Sequence, residues 1–328
     1  MRRPLVTLVT LIAAAATVVG CGASSGSSSH AARSATLVLD FTPNPVHVGI
    51  YTALARHFDT AAGVNLHVVA PSASTDSIRL LETGRANFAI LDIHDLAIAR
   101  ERGENIVGIL PIVERPLASV ISQPAVTSPR QLIGKTVGIS GDPSDTAVLD
   151  SIVAGSGGQP KQLKTITIGF NAVSDLLAGK VAGATAFWND EGVTLTRQRP
   201  GFHVFRVENY GAPAYPELVV CATFKSLKAD PGLARGVVRA LARGYDLALA
   251  HPAVGQAALE SQVPGLNHAL DTAELTGLGA AFRGPEGHFG VLDTALLRRW
   301  AAWEARFGIV KSPPDVATTF DTTFAPKG

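Results

Sequence analysis

The chain has 328 residues, of which 46% are hydrophobic and 17% are charged, with 28 basic and 27 acidic side chains. This near-neutral balance, without a cluster of lysines and arginines, argues against a nucleic-acid-binding protein. A chain of this length exceeds one typical hydrophobic core, so we expect two lobes.

The N-terminal segment has the features of a secretory leader. Two arginines precede an apolar run at 5–19 that is too short for a committed membrane span. The residues Val18-Val19-Gly20-Cys21 also resemble the bacterial lipobox, whose cysteine is lipidated and becomes the new N-terminus. We therefore expect a signal peptide over 1–20, a lipidated Cys21 and a Ser/Gly-rich tether over 21–33. The alternative is an ordinary signal peptide with an incidental cysteine.

From Thr36 onward, short β-type runs alternate with segments of helical periodicity. This alternation predicts an α/β fold with two open, mostly parallel sheets flanked by helices. After Cys221, which we expect to be a buried strand residue, the pattern predicts consecutive helices and then a proline-rich tail from 312 without a regular helix. The predicted strands are Thr36–Asp40, Asn65–Val69, Phe88–Leu91, Ile106–Val113, Thr136–Ser140, Thr165–Ile168, Ala184–Phe187 and Val204–Val207.

Two apolar segments, 117–122 and 218–223, are predicted to be strands that cross between the lobes. They would act as a two-strand hinge. The first lobe would then comprise residues 34–116 and 224–328, and the second lobe residues 117–223.

The turn after the first predicted strand carries several candidate binding residues. Two prolines stiffen this turn, and it leads into an apolar helical segment. Open α/β sheets bind ligands at the carboxyl ends of their strands, which is where this turn lies. The candidates are Asp40, Phe41, Asn44, His47 and Tyr51. The alternative is a rigid loop with ordinary surface polar groups.

The same segment, Leu39–Tyr51, resembles the Leu-Asp-Trp-x-Pro-Asn-x-x-His-x-Gly-x-Tyr signature of the NMT1/THI5-like family. These solute-binding proteins are related to the thiamine-pyrimidine precursor binders of ABC transporters. Phe41 departs from the signature, because the family usually has tryptophan there. The resemblance implies a two-lobed type II periplasmic-binding-protein fold.

Further candidates follow other predicted strands. Asp92 and Glu114 end strands of the first lobe, while Ser140 and Ser144 lie in a strand-to-helix turn of the second lobe. Each has a plainer alternative: Asp92 and Ser144 could cap helices, and Glu114 could pair with Arg115. Two further aspartates in the second-lobe turn disfavour a strongly anionic ligand.

The second lobe also offers an aromatic and polar segment that resembles the Trp-Asn-x-Glu-Gly segment of the family. Its candidates are Trp188, Asn189 and Glu191, and Tyr215 follows farther along the chain. Trp188, Tyr215 and Phe41 would stack on a heteroaromatic ring, while the polar side chains would bind its amino and ring nitrogens. For both the segment and Tyr215, the alternative is ordinary packing.

Together with these features, the resemblance to the family implies an extracytoplasmic solute-binding component of an ABC importer that closes on its ligand by hinge bending. A thiamine pyrimidine precursor is the first choice of ligand, and the alternatives are a riboflavin-type ring or an alkylsulfonate, taurine or nitrate. The expected partners are an ABC permease and its ATPase, with a lipid anchor holding a monomer at the outer face of the cell membrane.

Catalysis is not expected. The chain has no Gly-x-Ser-x-Gly elbow, P-loop or dinucleotide glycine pattern, and it lacks the cysteine-rich segment of the related fungal pyrimidine synthases. No cofactor is therefore expected. His47, Asp92, His94 and Asp95 are suitable metal-ligand types, but no two histidines have the spacing of a metal site, so none is predicted.

Overall fold

The computed structural model describes residues 32–73, 75–284 and 287–326. The predicted signal peptide, Cys21 and nearly all of the predicted tether lie outside these residues. Within these ranges, no helix is both long and apolar enough to cross a bilayer.

Ten strands form the two sheets of the described chain. They are β1 Arg33–Val38, β2 Val64–Val69, β3 Phe88–Asp92, β4 Ile106–Val113, β5 Ala118–Ser122, β6 Thr136–Ile139, β7 Lys164–Thr167, β8 Gly183–Phe187, β9 His203–Arg206 and β10 Leu218–Thr223. The first sheet has the order β2-β1-β3-β10-β4, and the second has the order β7-β6-β8-β5-β9. β10 and β5 run antiparallel to their neighbours, and the other strands of each sheet share one direction. The predicted mostly parallel sheets are therefore confirmed.

Helices cover the sheets, as the sequence predicts. They are α1 Val48–Ala55, α2 Phe58–Ala61, α3 Asp76–Glu82, α4 Ile93–Glu101, α5 Asp145–Gly155, α6 Ala172–Leu177, α7 Glu191–Gln198, α8 Phe224–Ala229, α9 Pro231–Ala250, α10 Pro252–Gln262, α11 His268–Leu278, α12 Thr294–Arg306 and α13 Val316–Thr319. The single-turn α13 lies in the tail for which no regular helix was expected.

The chain crosses between the lobes at two short loops, 114–117 and 211–217. The two segments predicted to be the hinge are instead strands inside the sheets: β5 belongs to the second sheet and β10 to the first. Placing 218–223 in the second lobe is therefore wrong. β10 is fully buried at Val219, Val220 and Cys221, and such a continuous apolar run is typical of an inner strand.

Helix α9 holds the turn between β1 and α1 in place. The Tyr245 hydroxyl donates a hydrogen bond to the carbonyl oxygen of Val46, with 2.8 Å between the oxygens. A Cβ atom at Gly49 would overlap the Tyr245 ring. The glycine in the family signature therefore permits the close packing that fixes this turn at the carboxyl end of β1.

Candidate functional site: the cleft between the lobes

A cavity of about 880 Å³, counted with its open mouth, lies between the two lobes. Residues at or just beyond the carboxyl ends of β1, β3, β6 and β8 line it. The lining includes three phenylalanines, Phe41, Phe170 and Phe187, and six acidic residues, Asp40, Asp92, Asp95, Asp142, Asp145 and Glu191. Among the residues that the structure describes, no lysine, arginine or histidine lines this cavity. It combines aromatic faces with hydrogen-bond acceptors, which suits an amine-bearing ring.

The turn after β1 supplies Asp40 and Phe41 to the cavity, as predicted, but not its other candidates. The imidazole of His47 is fully buried, with its Nε2 2.9 Å from Asp40 Oδ1 and its Nδ1 accepting the backbone N–H of Asn44 at 3.2 Å. Asn44 in turn caps the following turn by accepting the Val46 N–H at 2.8 Å. Asn44 and His47 therefore orient Asp40 from behind the cavity wall, and Tyr51 is a core residue.

The aromatic surface differs from the predicted one. Phe41 of the first lobe meets Phe170 of the second lobe edge-to-face, with 4.5 Å between the ring centroids. The indole of Trp188 packs outside the cavity beside the first crossing loop, where its Nε1 donates to the Pro116 carbonyl at 2.9 Å. The Arg206 guanidinium covers its ring at 3.8 Å. The prediction that Trp188 stacks on a ligand in this cavity is therefore wrong.

Tyr215 is also a core residue, so its predicted stacking role is wrong. It is fully buried, and its hydroxyl oxygen lies 3.0 Å from Nε2 of His94. Nδ1 of His94 contacts Glu304 of α12, and both side chains are fully buried. Burial alone would lower the pKa of His94, but the carboxylates of Glu304 and Asp92 outweigh it and raise the pKa to about 9. His94 is therefore protonated at neutral pH.

Glu114 and Asn189 also lie outside the cavity. The Glu114 carboxyl accepts the backbone N–H groups of Gly290 and Val291, at 2.9 and 3.0 Å, so it holds a loop in place instead of binding a ligand. Asn189 is fully buried, and neither atom of its amide has a hydrogen-bond partner among the described residues.

Asp92 lies at the base of the cavity beside the two crossing loops. Its Oδ1 accepts the backbone N–H of His94 at 2.7 Å. Its neighbour Glu217 accepts the backbone N–H groups of Leu117 and Ala118, so this carboxyl ties one crossing loop to the other. Burial raises the pKa of Asp92 and raises that of Glu217 to about 7.

Asp92, His94 and Glu217 also place potential metal-ligand atoms within 4.8 Å of one another. Both ring nitrogens of His94 already have partners, Tyr215 and Glu304. This cluster therefore fits a structural network better than a metal site.

The second-lobe turn is organised around Asp145. Its Oδ2 accepts the backbone N–H groups of Gly141 and Asp142 and lies 2.7 Å from the Ser140 hydroxyl. Its Oδ1 accepts the Thr185 hydroxyl at 2.9 Å. Ser140 lines the cavity, as predicted, but the central residue of this turn is Asp145.

A hydrogen bond between Ser144 and Asp95 joins the lobes across the cavity. The backbone N–H of Ser144, at the start of α5, donates to Asp95 Oδ1 of α4 at 3.0 Å. Ser144 therefore lines the cavity, as predicted, and it contacts the opposite lobe through its backbone. From the sequence, Asp95 was named only as a suitable metal-ligand type and not as a binding residue.

Glu191 is the acidic residue whose position agrees best with the prediction. Its Oε2 accepts the Phe187 N–H at 3.0 Å, and its side chain lines the cavity. Burial, with a smaller effect of neighbouring Asp190, raises the pKa of Glu191 to about 8. At neutral pH this carboxyl is therefore protonated and can both donate and accept a hydrogen bond.

Two kinds of known proteins, a binding protein and a synthase, are similar in sequence to this chain. The formylaminopyrimidine-binding protein of Halalkalibacterium halodurans is 25% identical over 303 residues, which cover 90% of this chain and 92% of that protein. The 4-amino-5-hydroxymethyl-2-methylpyrimidine phosphate synthase of Legionella pneumophila subsp. pneumophila is 22% identical, over 64% of this chain and 67% of that protein.

The fold resembles that of solved binding proteins. The alkanesulfonate-binding protein SsuA from Xanthomonas axonopodis pv. citri, solved with MOPS bound, superimposes with a TM-score of 0.71. It is 15% identical, and the match covers 88% of this chain and 98% of that one. The predicted periplasmic-binding-protein fold is thereby confirmed. A family model described as NMT1/THI5 like matches residues 44–254, and the chain belongs to this family.

Proposed function

We propose that the chain is the extracytoplasmic solute-binding component of an ABC importer and that it captures an amine-bearing nitrogen heteroaromatic. One observation carries the proposal: both lobes contribute phenylalanines and carboxyl groups to one cavity, and no basic side chain of the described part of the chain lines it. The formylaminopyrimidine-binding relative supports a thiamine pyrimidine precursor as the ligand.

The charge of the cavity argues against the alternative oxyanion ligands. A sulfonate or nitrate is bound by arginine, lysine or several free N–H groups, because these donate hydrogen bonds and offset negative charge. Here the acidic lining would repel such a ligand. The likeness to the alkanesulfonate-binding protein therefore concerns the fold and not the ligand.

An aminopyrimidine suits the groups that the cavity offers. Phe41, Phe170 and Phe187 supply apolar faces and edges for the ring. The protonated carboxyl of Glu191 donates its O–H to a ring nitrogen, and its carbonyl oxygen accepts from the neighbouring amino group. Each such hydrogen bond contributes about 0.5–1.5 kcal/mol.

Ligand capture would proceed by closure of the cleft. Phe41 contacts Phe170, and Asp95 accepts a hydrogen bond from Ser144, so the lobes meet directly in this structure. A ligand that contacts both lobes gains its full set of interactions only when the cleft is closed. Binding therefore shifts the population towards the closed form, which the permease would recognise while a separate ATPase subunit hydrolyses ATP.

The N-terminal features belong to the same proposal. A diacylated Cys21 would anchor a monomeric receptor at the outer face of the cell membrane, with 21–33 as its tether. Metabolic labelling with a radioactive fatty acid, compared between the wild type and Cys21→Ser, tests this anchor. Label retained by the variant would refute it.

A pyrimidine synthase is the competing function, because relatives with that name exist. Forming a Schiff base with pyridoxal phosphate requires a lysine, and within the described ranges no lysine lines this cavity. Incubation with iron and pyridoxal phosphate is therefore expected to yield no pyrimidine, and turnover would overturn the binding-protein proposal.

Calorimetric titration tests the ligand. Aminomethyl-, formylaminomethyl- and hydroxymethyl-pyrimidines are expected to bind, whereas taurine, nitrate and an alkylsulfonate are not, and riboflavin tests a larger ring.

Phe41→Ala and Glu191→Ala are expected to weaken binding about tenfold, and Glu191→Gln less, because an amide still donates and accepts. Trp188→Phe is the control and should leave affinity unchanged. Tight binding of taurine without pyrimidine binding would refute the proposal.

A further inference from the structure

The first sheet has a second edge, opposite the cavity, where helix α8 begins. β10 runs antiparallel to β3 and β4, so its last residue, Thr223, pairs with Ile106 at the start of β4. β1 starts at the same edge with Arg33, whose guanidinium contacts Asp230 at 2.6 Å, between α8 and α9. Helix α8 therefore lies at the end of the first lobe that is farthest from the cavity.

Helix α8 exposes an apolar ring beside two cations. Phe224 is 59% exposed, the largest fraction among the large hydrophobic side chains that the structure describes. Lys225 and Lys228 are also exposed, and neither forms an ion pair with a described residue, while Leu227 is buried in the core. We call Phe224, Lys225 and Lys228 the α8 face. An exposed aromatic ring flanked by unpaired cations is the combination that binds an anionic lipid surface.

The acidic groups next to the α8 face are offset by neighbouring arginines. Asp230 pairs with Arg33. The loop before β4 adjoins α8, because the first N–H of this helix donates to the Asn105 carbonyl at 2.8 Å. This loop carries Glu104 together with Arg102, and burial raises the pKa of Glu104 to about 7, so that its charge is only partial at neutral pH. The two lysines therefore leave this surface net positive.

The predicted tether joins the lobe at this same edge. Cys21 and Arg33 are 12 positions apart in the sequence, and a chain of this length spans at most about 40 Å. Helix α8 ends next to the partner of Arg33, Asp230, and a six-residue helix is only about 9 Å long. A lipid on Cys21 would therefore keep the α8 face within reach of the bilayer, so that even a weak surface contact becomes effective.

We propose that the α8 face rests on the anionic headgroups of the membrane to which the receptor is anchored. Phe224 enters the interfacial layer, and Lys225 and Lys228 bind the lipid phosphates. The cavity then points away from the bilayer, towards the solution from which the ligand arrives. This inference rests on the lipid anchor of the proposed function and goes beyond it, because it gives the anchored receptor a preferred orientation.

The test supplies the anchor chemically and measures which surface touches the lipid. The chain from residue 21 is coupled through Cys21 to a maleimide lipid in vesicles, and Cys221 is fully buried and should not react. The vesicles are brominated phosphatidylcholine, alone or with an equal part of brominated phosphatidylglycerol, because bromine quenches tryptophan on contact. Phe224→Trp is compared with Ile166→Trp, the matched control, because Ile166 is 45% exposed on β7 of the second lobe. The three native tryptophans are buried, and the coupled wild type gives their background.

In the anionic vesicles we expect the Phe224→Trp indole to be quenched at least about twofold more than the Ile166→Trp indole. Adding Lys225→Gln and Lys228→Gln should weaken the contact about 25-fold, because each lysine near an anionic surface contributes about fivefold, and neutral vesicles should have a similar effect. Equal quenching of the two indoles, or quenching that the glutamine variant retains, overturns the inference. No quenching of the Phe224→Trp indole also overturns it and leaves the α8 face to a protein partner.

Failure of the lipid anchor gives a different result. The fatty-acid labelling of Cys21 tests whether the cell adds a lipid, whereas the vesicle experiment supplies one by coupling. An unlabelled wild type that still shows preferential quenching of the Phe224→Trp indole removes the natural anchor and supports the membrane contact. A labelled wild type without this preference keeps the anchor and overturns the inference.

Discussion

Replacing Glu304 by glutamine removes the charged partner of the buried His94. A His94 pKa of about 9 in the folded chain, against about 6.5 in the unfolded chain, stabilises folding by about 2–3 kcal/mol at pH 7. Because the folded pKa is the higher one, this stability is fully present below pH 6.5, where it reaches about 3 kcal/mol. It is lost as pH rises through about 9.

Urea unfolding followed by tryptophan fluorescence, at pH 6, 7.5 and 9.5, measures the free energy of unfolding of the wild type and Glu304→Gln. The difference should be about 3 kcal/mol at pH 6 and should fall below about 0.5 kcal/mol at pH 9.5. Glu260→Gln is the control, because its partner His268 is 76% exposed and such surface pairs contribute at most about 1 kcal/mol. A difference that does not vary with pH would refute a charged His94.

Three further changes test the packing. Gly244→Ala should lower stability by about 1–3 kcal/mol in a thermal or urea melt, because its Cβ would overlap the carbonyl oxygen of Gly49 where α9 meets α1. Trp188→Phe should lower stability by about 1 kcal/mol, since it removes the hydrogen bond to Pro116. In a Cys21→Ser background, Cys221 should react with a thiol reagent only in denaturant, because it is fully buried and burial raises its pKa.

The fold can be predicted from the sequence because the patterns that indicate it are formed by residues close together in the chain. Alternating strands and helices, together with the turn after β1, identify the α/β architecture and place Asp40 and Phe41 at the cavity. The position of β10 cannot be predicted in this way. An apolar run such as 218–223 is equally suited to a hinge or to an inner strand, and only pairing with β3 and β4 distinguishes the two.

The site residues that were predicted wrongly also could not be assigned from local sequence patterns. Successive side chains of a strand point to opposite sides, so the adjacent Phe187 and Trp188 could not both be expected to face the ligand. Phe187, not Trp188, lines the cavity. Tyr215 and Glu114 have their partners far away in the sequence, in α12 and in the loop at Gly290. No local pattern shows such contacts.

The Glu217 carboxyl joins the two connections between the lobes. Its carboxyl joins the loop that leaves the first lobe to the segment that returns, so the two connections move together. Moving the two connections apart would leave a buried carboxyl and two backbone N–H groups without hydrogen-bond partners. This would cost several kcal/mol of free energy. We therefore expect any movement of the lobes to be a rotation about this point and not a sliding of one lobe past the other. Because Asp92 lines the cavity and interacts with Glu217, a ligand bound in the cavity would lie next to the residue that joins the two connections.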